Sequence, residues 1–301
     1  MNINQEQLFS EFNDSVKFDY DLKKKNWFNI GGKTKIYFKA SNLKDLISFL
    51  KRIENKEKIF ILGGGSNTLI TDKTYNGVVI KLTNNFNNIS LLADDIIIAG
   101  SAVSDKSLFE FAMNNGLGGF EFLSCIPGTV GGGIKMNAGC FGREFKDVLI
   151  SIQAINKKGQ VITIPTKDIN FKYRNSSLPD DLIFLSASFK GKRKNSNLID
   201  KEMTELKKKK EEAQPTRIKT SGSTFKNPLD QTEKKVWQLI KDSVSLEKSF
   251  GDACISKKHC NFFVNKGDAK FDDMKKLIEF VSESVLKKTG VKLETEIKIL
   301  E

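Results

Sequence analysis

Ile126-Pro-Gly-Thr-Val-Gly-Gly-Gly-Ile-Lys-Met-Asn-Ala-Gly-Cys-Phe-Gly142 is the stretch from which the fold is best read. Its one Pro and six Gly let the backbone take positive φ at several points and turn its amides outward. A loop of that kind cradles an anion without spending side chains. The spacing does not follow G-x-G-x-x-G between a strand and a helix, so a nicotinamide-type Rossmann domain is not the natural reading. On these residues alone, a phosphate seat and a glycine-rich crossover without ligand carry equal weight.

A second glycine run lies about sixty residues upstream. Lys58 to Leu62 is an apolar strand running straight into Gly63-Gly64-Gly65-Ser66-Asn67, and after Asp72 and Gly77 a further strand spans Val78 to Leu82. Ile36 to Ala40 reads as a strand, and Leu43, Leu46, Ile47, Leu50 and Ile53 recur at helical spacing behind a cap at Ser41 or Asn42. The pattern predicts a small β-α-β unit. A triple glycine at a strand end, followed by Ser and Asn, is again an amide cradle or else a tight turn. Two cradles flanked by strands would converge on one diphosphate.

The chain has 301 residues, enough for two or three domains. Its composition, 39% hydrophobic and 29% charged, is that of a soluble globular protein. The opening Met1 to Gln7 is polar where a secretory signal would be basic and then apolar, and no apolar run reaches the ~18 residues of a membrane span. No membrane insertion and a cytoplasmic location are expected. Cys125, Cys140, Cys254 and Cys260 form no C-x-x-C pair, and His259 is the single histidine, so reduced, mostly buried thiols and no metal site are expected. Net charge is +12, which suits anionic partners. Only 5 of the 49 basic residues are Arg, leaving 44 Lys. A nucleic-acid footprint prefers Arg interleaved with aromatics, so no nucleic-acid partner is expected. The block Lys207 to Lys210 reads as a solvated helix face.

Further along, Ile96 to Gly100 is a strand, and Leu108, Phe111 and Ala112 mark a helix ending at Asn114-Asn115-Gly116. Strands at Ile150 to Ile155, Val161 to Ile164 and Leu182 to Phe189 surround Phe171 to Ser177. Arg174 within that segment stands out in a Lys-rich chain, because its planar fork suits a carboxylate or phosphate; a strand-end ion pair is the alternative. Gly191 to Asn197 reads as a linker before a helix from Ile199 to Ala213. Ser221 to Pro228 packs hydroxyls, a cation and an amide between Gly and Pro, as a binding loop does. Helices near Glu233 to Lys241 and Asp272 to Thr289, the latter stopped by Gly290, precede a last strand from Val291 to Leu300. Along it Lys292, Glu294, Glu296 and Lys298 share one face.

Seven segments in order then carry a resemblance. They are Asn29-Ile-Gly-Gly32; Leu62 to Asn67 with Asp72; Ile126 to Gly132 with Asn137, Gly139 and Gly142; Tyr173 to Ser176; Gly222 to Pro228; Gly251 to Ala253 with His259 and Asn265; and Leu293 to Glu296. Together they resemble the UDP-N-acetylenolpyruvoylglucosamine reductase (UDP-N-acetylmuramate dehydrogenase) family. The chain departs from the family pattern at Asn26-Trp27, where Asn-Thr is usual, and at Ser124-Cys125, where Ala-Gly is common.

The resemblance implies an α+β fold: a two-subdomain, non-Rossmann FAD-binding module of the vanillyl-alcohol-oxidase (PCMH) kind, followed by a C-terminal α+β substrate domain. Residues 1–82, 83–195 and 196–301 are the expected divisions. It implies reduction of UDP-N-acetylglucosamine enolpyruvate to UDP-N-acetylmuramate in peptidoglycan precursor synthesis, with FAD as cofactor, NADPH as hydride donor and a monomeric protein. FAD would lie against Gly63, Gly64, Gly65, Ser66, Asn67, Ile126, Pro127, Gly128, Thr129, Gly131, Asn137 and Gly139. Ser223 would be the proton donor, Arg174 and Glu296 would complete the catalytic set, and Lys226 and Asn227 would lie near the substrate. The short path from Arg174 to Ser186 resembles the type lacking an extra tyrosine-bearing loop. Arg174 can hold the substrate carboxylate through its fork, and Glu296 can orient that fork or, protonated, donate to the same carboxylate. A serine is a weak acid, but an enolate is a strong base, and a cation such as Lys226 can stabilise the alkoxide left behind. A FAD oxidoreductase acting on an alcohol or aldehyde would share the flavin module but leave Gly222 to Pro228 unexplained. A basic nucleic-acid-binding protein built on an inactive flavin module is the other rival, motivated by the charge alone.

Overall fold

In the computed structural model, which describes residues 8–53 and 57–301, small sheets are interspersed with helices of 6 to 19 residues and short 3-10 turns. The polar opening, Met1 to Gln7, lies outside the described residues. These residues divide into two compact units: those within Met1–Tyr20, Lys35–Gly64 and Asn76–Lys208, and those within Asp21–Thr34, Gly65–Tyr75 and Lys209–Glu301.

The first unit holds two larger sheets, two two-stranded ones and two hydrophobic cores. One sheet runs in the order Val16–Asp21, Lys33–Ala40, Tyr75–Leu82, Ile59–Ile61, with the last two parallel. Parallel neighbours need a crossover rather than a tight hairpin. The helix Leu43–Arg52 lies before the short strand, and Asn42 caps it by accepting the Asp45 N–H at 2.9 Å. Its spacing buries Leu46, Phe49 and Leu50, and Phe49 stacks on Phe38 at 4.0 Å between ring centroids.

The second sheet runs Val161–Pro165, Leu149–Ile155, Ile183–Lys190, Ile96–Gly100, Ile89–Ala93, and its neighbours are all antiparallel. That pairing is incompatible with a doubly wound dinucleotide fold. Alternate residues Ile97, Ala99, Ile152, Ala154, Ala187 and Phe189 enter one core with Leu108, Phe109 and Ala112 of the helix Asp105–Asn114. Lys192–Arg193 falls in the segment expected to be a linker, yet it pairs antiparallel with Leu117–Gly118, and the next helix begins at Ser196 rather than Ile199. Polar two-residue strands leave no periodicity to detect.

The glycine-rich stretch is not loop throughout, because Val130–Lys135 is helical despite three glycines. Intrinsic propensity argues against this, but packing overrides it. A Cβ on Gly133 would sit 2.2 Å from the Phe145 ring.

The second unit is built on the helix Phe271–Thr289, which buries Phe271, Met274, Leu277, Ile278, Val281 and Val285 along one face. Gly290 ends it at φ 74°, a left-handed cap with open space around its α-carbon. The helix Val236–Ser243 and the sheet Ser249–Phe250, Ala253–Ile255, Phe263–Asn265 contribute to the same core, with Phe28, Ile30 and Leu69. The expected last strand is mostly irregular. Only Lys298–Leu300 is strand, and it pairs parallel with Thr68–Ile70.

All four cysteines are free, and Cys125, Cys254 and Cys260 are buried. Among the described residues no cluster of His, Cys, Asp and Glu is placed to hold a metal, and no helix is long and apolar enough to cross a membrane.

Candidate active site

In the first unit the two glycine runs press against each other. A Cβ on Gly63 would lie 2.9 Å from Thr129 Oγ1, and one on Gly64 would lie 3.3 Å from the Gly128 α-carbon. Side chains at these positions would push the strands of the cradle apart. Among the described residues, the N–H groups of Gly63, Gly64, Gly128 and Thr129 have no protein acceptor. Unpaired amides beside so close a backbone contact are what an anionic group requires. The Gly63 carbonyl, by contrast, accepts from Lys81 Nζ. Gly131 is tied into the scaffold, donating to Ser101 C=O at 2.9 Å. Ile126 and Pro127 precede the contact, with Ile126 N–H bound to Leu123 C=O at 3.1 Å.

Within the same unit the later part of the glycine stretch grips the segment that carries Arg174. Arg174 Nη2 donates to Gly139 C=O at 2.8 Å, and its guanidinium lies 4.9 Å from the Tyr173 ring centroid. Arg174 takes φ 55°, a conformation costly for a side chain of this size, so its placement is enforced by the surroundings. Asn137, fully buried at φ 41°, is one of those surroundings. Its Nδ2 donates to Glu144 Oε2 at 2.9 Å and to Lys172 C=O at 3.2 Å, while its Oδ1 accepts Lys146 N–H at 3.2 Å. The Asn137 side chain therefore ties the Glu144–Lys146 segment to Lys172, two residues before Arg174. Gly139 leaves no alternative residue, since a Cβ there would meet Arg143 C=O at 2.1 Å.

Ser223, Lys226, Asn227 and Glu296 lie in the second unit, and the fold brings them together. The segment after Gly222, itself at φ 78°, runs alongside residues 294–296. Glu296 N–H donates to Thr224 C=O at 2.8 Å, Lys226 N–H donates to Glu294 C=O at 2.9 Å, and Phe225 bridges Thr295 in antiparallel fashion. Half-buried Ser223 and Glu296 are thus held on adjacent backbones by hydrogen bonds. Lys226 pairs with Glu294. Asn227 Oδ1 accepts Val236 N–H at 3.0 Å, capping the helix Val236–Ser243. Asn67, at the end of the first glycine run, donates from Nδ2 to Glu296 C=O at 3.0 Å and accepts Lys298 N–H at 2.9 Å. Gly65 is glycine because a Cβ would meet Lys25 C=O at 2.2 Å, and its own carbonyl accepts Trp27 N–H at 3.0 Å.

Two residues that sequence alone did not single out belong here. Asn261, 2% exposed, bonds the Ser223 segment from its other side. Asp105 is fully buried beside the second glycine run, its N–H donating to Gly128 C=O at 3.3 Å. Its carboxyl oxygens have no hydrogen-bond partner among the described residues, and burial pushes its pKa well above the usual carboxylate range. An Asn in H-C-N-F and an Asp opening a helix are commonplace, so neither gave a signal.

Comparison with known proteins bears on this arrangement. The model of the FAD binding domain matches residues 34–165, and that of the UDP-N-acetylenolpyruvoylglucosamine reductase C-terminal domain matches residues 214–300. A relative from Pelagibacter ubique named UDP-N-acetylenolpyruvoylglucosamine reductase is 68% identical over 301 residues, covering 100% of both chains. One of the same name from Rickettsia massiliae is 45% identical over 94% of each chain. The crystal structure of UDP-N-acetylenolpyruvylglucosamine reductase from Thermus caldophilus matches with a TM-score of 0.81 and 28% identity, covering 95% of this chain and 98% of that one.

Proposed function

The chain belongs to the UDP-N-acetylenolpyruvoylglucosamine reductase family, and from that premise we propose that Ser223 protonates the substrate while Arg174 and Glu296 act on its carboxylate. The protein is a FAD-dependent oxidoreductase that reduces UDP-N-acetylglucosamine enolpyruvate in peptidoglycan precursor synthesis. NADPH as the reductant, a monomeric state, a cytoplasmic location and the type without the tyrosine-bearing loop complete the reading.

The residues fit FAD. The diphosphate needs amides rather than bulk, and among the described residues Gly63, Gly64, Gly128 and Thr129 offer N–H groups without protein acceptors, at a contact where a Cβ on Gly63 would meet Thr129 Oγ1 at 2.9 Å. Gly65, Ser66 and Asn67 continue the first loop, and Ile126, Pro127, Gly131, Asn137 and Gly139 shape the second. When bound, the flavin supplies hydride to the β-carbon of the enolpyruvyl group.

What this chain must then do is manage the charge left on the substrate's α-carbon and carboxylate. Arg174 stabilises it through a planar fork whose direction is fixed by the Gly139 carbonyl and the enforced backbone at φ 55°. A preorganised donor of this kind is worth ~3 kcal/mol at comparable oxyanion sites. Ser223 delivers the proton, and Lys226 stabilises the resulting alkoxide once substrate draws it from its exposed partner Glu294.

The observation that supports these roles most is the Thr224–Glu296 backbone hydrogen bond of 2.8 Å, which holds the segment carrying Ser223 against the one carrying Glu296. In stopped-flow experiments, Ser223→Ala is expected to keep flavin reduction by NADPH within about two-fold of wild type. Its reoxidation by the enolpyruvyl substrate should slow by at least about 100-fold, the lower range for loss of a general acid. Equal losses in both half-reactions would refute the proton-donor role.

A further inference from the structure

We infer that Asn261 is the positioning residue that holds Ser223 in its catalytic register, an inference that rests on the proton-donor role of Ser223. The side-chain amide of Asn261 lies against the peptide backbone of Phe225 as a neighbouring strand would. Its Oδ1 accepts Phe225 N–H at 3.0 Å, and its Nδ2 donates to Phe225 C=O at 2.9 Å. Its backbone carbonyl accepts Thr224 N–H at 2.8 Å, and Phe262, the next residue, bridges Ser223 itself. Three hydrogen bonds to one residue thus fix the three successive peptide groups that follow Ser223.

Asn261 is itself held. It is 2% exposed, and its own N–H donates to His259 Nδ1 at 3.3 Å. That bond requires the imidazole to be unprotonated at Nδ1, and burial lowers the His259 pKa in the same sense. On the other side, Phe225 is 1% exposed with its ring edge-on to Phe263. A serine at the edge of this ladder moves only if the ladder opens. Placement matters for the chemistry because a displacement of about 1 Å costs about 100-fold in rate. Apolar residues of similar size would fill the space of Asn261 but leave the Phe225 N–H and C=O unpaired on that side.

The test combines exchange and kinetics on FAD-loaded enzyme. Asn261→Ala is expected to speed hydrogen exchange at the Thr224 and Phe225 amides while the Phe271–Thr289 helix keeps its protection. Reoxidation by substrate should slow about 100-fold with NADPH reduction unchanged, and Asn261→Ala with Ser223→Ala should be no slower than Ser223→Ala alone. Multiplying losses, or equal losses in both half-reactions, would overturn the inference. Unchanged exchange beside an impaired Ser223→Ala enzyme would overturn the positioning role alone. Fast exchange beside an unimpaired Ser223→Ala enzyme would instead remove the proton-donor reading on which it rests. Asn261→Asp covers the case in which Asn261→Ala fails to fold. It keeps the shape but can donate to Phe225 C=O only when protonated, so its reoxidation rate relative to wild type should recover as pH falls. A flat ratio across pH would contradict the positioning role.

Discussion

Asp105 shows at the scale of a single residue how far function-bearing segments depart from cheap packing. Its carboxyl is fully buried without a hydrogen-bond partner among the described residues, so the folded chain holds the proton that an unfolded chain releases near pH 3.8. The sign follows from proton uptake: the folded state binds more protons, so stability declines as pH rises above 3.8 toward the raised folded value. Asp105→Asn keeps the shape and removes the ionisable group. It is expected to raise the melting temperature at pH 7, corresponding to roughly 1–3 kcal/mol, with the gap to wild type closing as pH approaches 4. A gap of equal size at both pH values would contradict this account. The sequence showed an acidic residue at a helix start, which is ordinarily a solvated and favourable placement. Only the packing of the helix Asp105–Asn114 against the second sheet's core removes it from water. Arg174 was legible for the opposite reason, since a lone fork among lysines is visible in composition, whereas its positive φ and its Gly139 partner were not.

The segment from Ser221 to Pro228 shows what an element owes to its neighbours. It lies between residues 261–262 and 294–296 and is paired to both by backbone hydrogen bonds, although it forms no named strand. Asn227 closes it by capping the helix Val236–Ser243. Asn227→Ala is therefore expected to cost about 1 kcal/mol of stability in the absence of substrate, read as a lower midpoint in urea, whatever it also costs in substrate affinity. An unchanged midpoint would mean that the cap is dispensable. The long helix and its Gly290 stop were plain in the sequence because apolar residues at helical spacing and a left-handed cap are local properties. The terminal segment reads as a longer strand in the sequence for the complementary reason. Val291, Leu293 and Ile297 are buried and Lys292 and Glu294 are exposed, an alternation that imitates a strand. That backbone instead spends its hydrogen bonds on Thr224 and Lys226. The three-glycine helix Val130–Lys135 reads as loop in the sequence because its cause, the Phe145 ring against Gly133, lies outside the stretch.

Across the whole molecule, the order of glycine runs and polar motifs carried the reading further than composition did. A net charge of +12 suits a sugar nucleotide, a nicotinamide dinucleotide phosphate and FAD, all of them anionic, and also suits many unrelated ligands. The antiparallel five-stranded sheet, the glycine contact between Gly63, Gly64, Gly128 and Thr129, and full-length similarity to named reductases select among these. The most direct test uses wild-type enzyme with FAD, reduced anaerobically with NADPH in D2O and mixed with UDP-N-acetylglucosamine enolpyruvate. Flavin absorbance should recover in one turnover, and the lactyl product should carry solvent deuterium at the α-carbon, as the proposed proton donor, the exchangeable Ser223 hydroxyl, would deliver it. Absorbance that stays bleached, or product without deuterium at that carbon, would contradict the account.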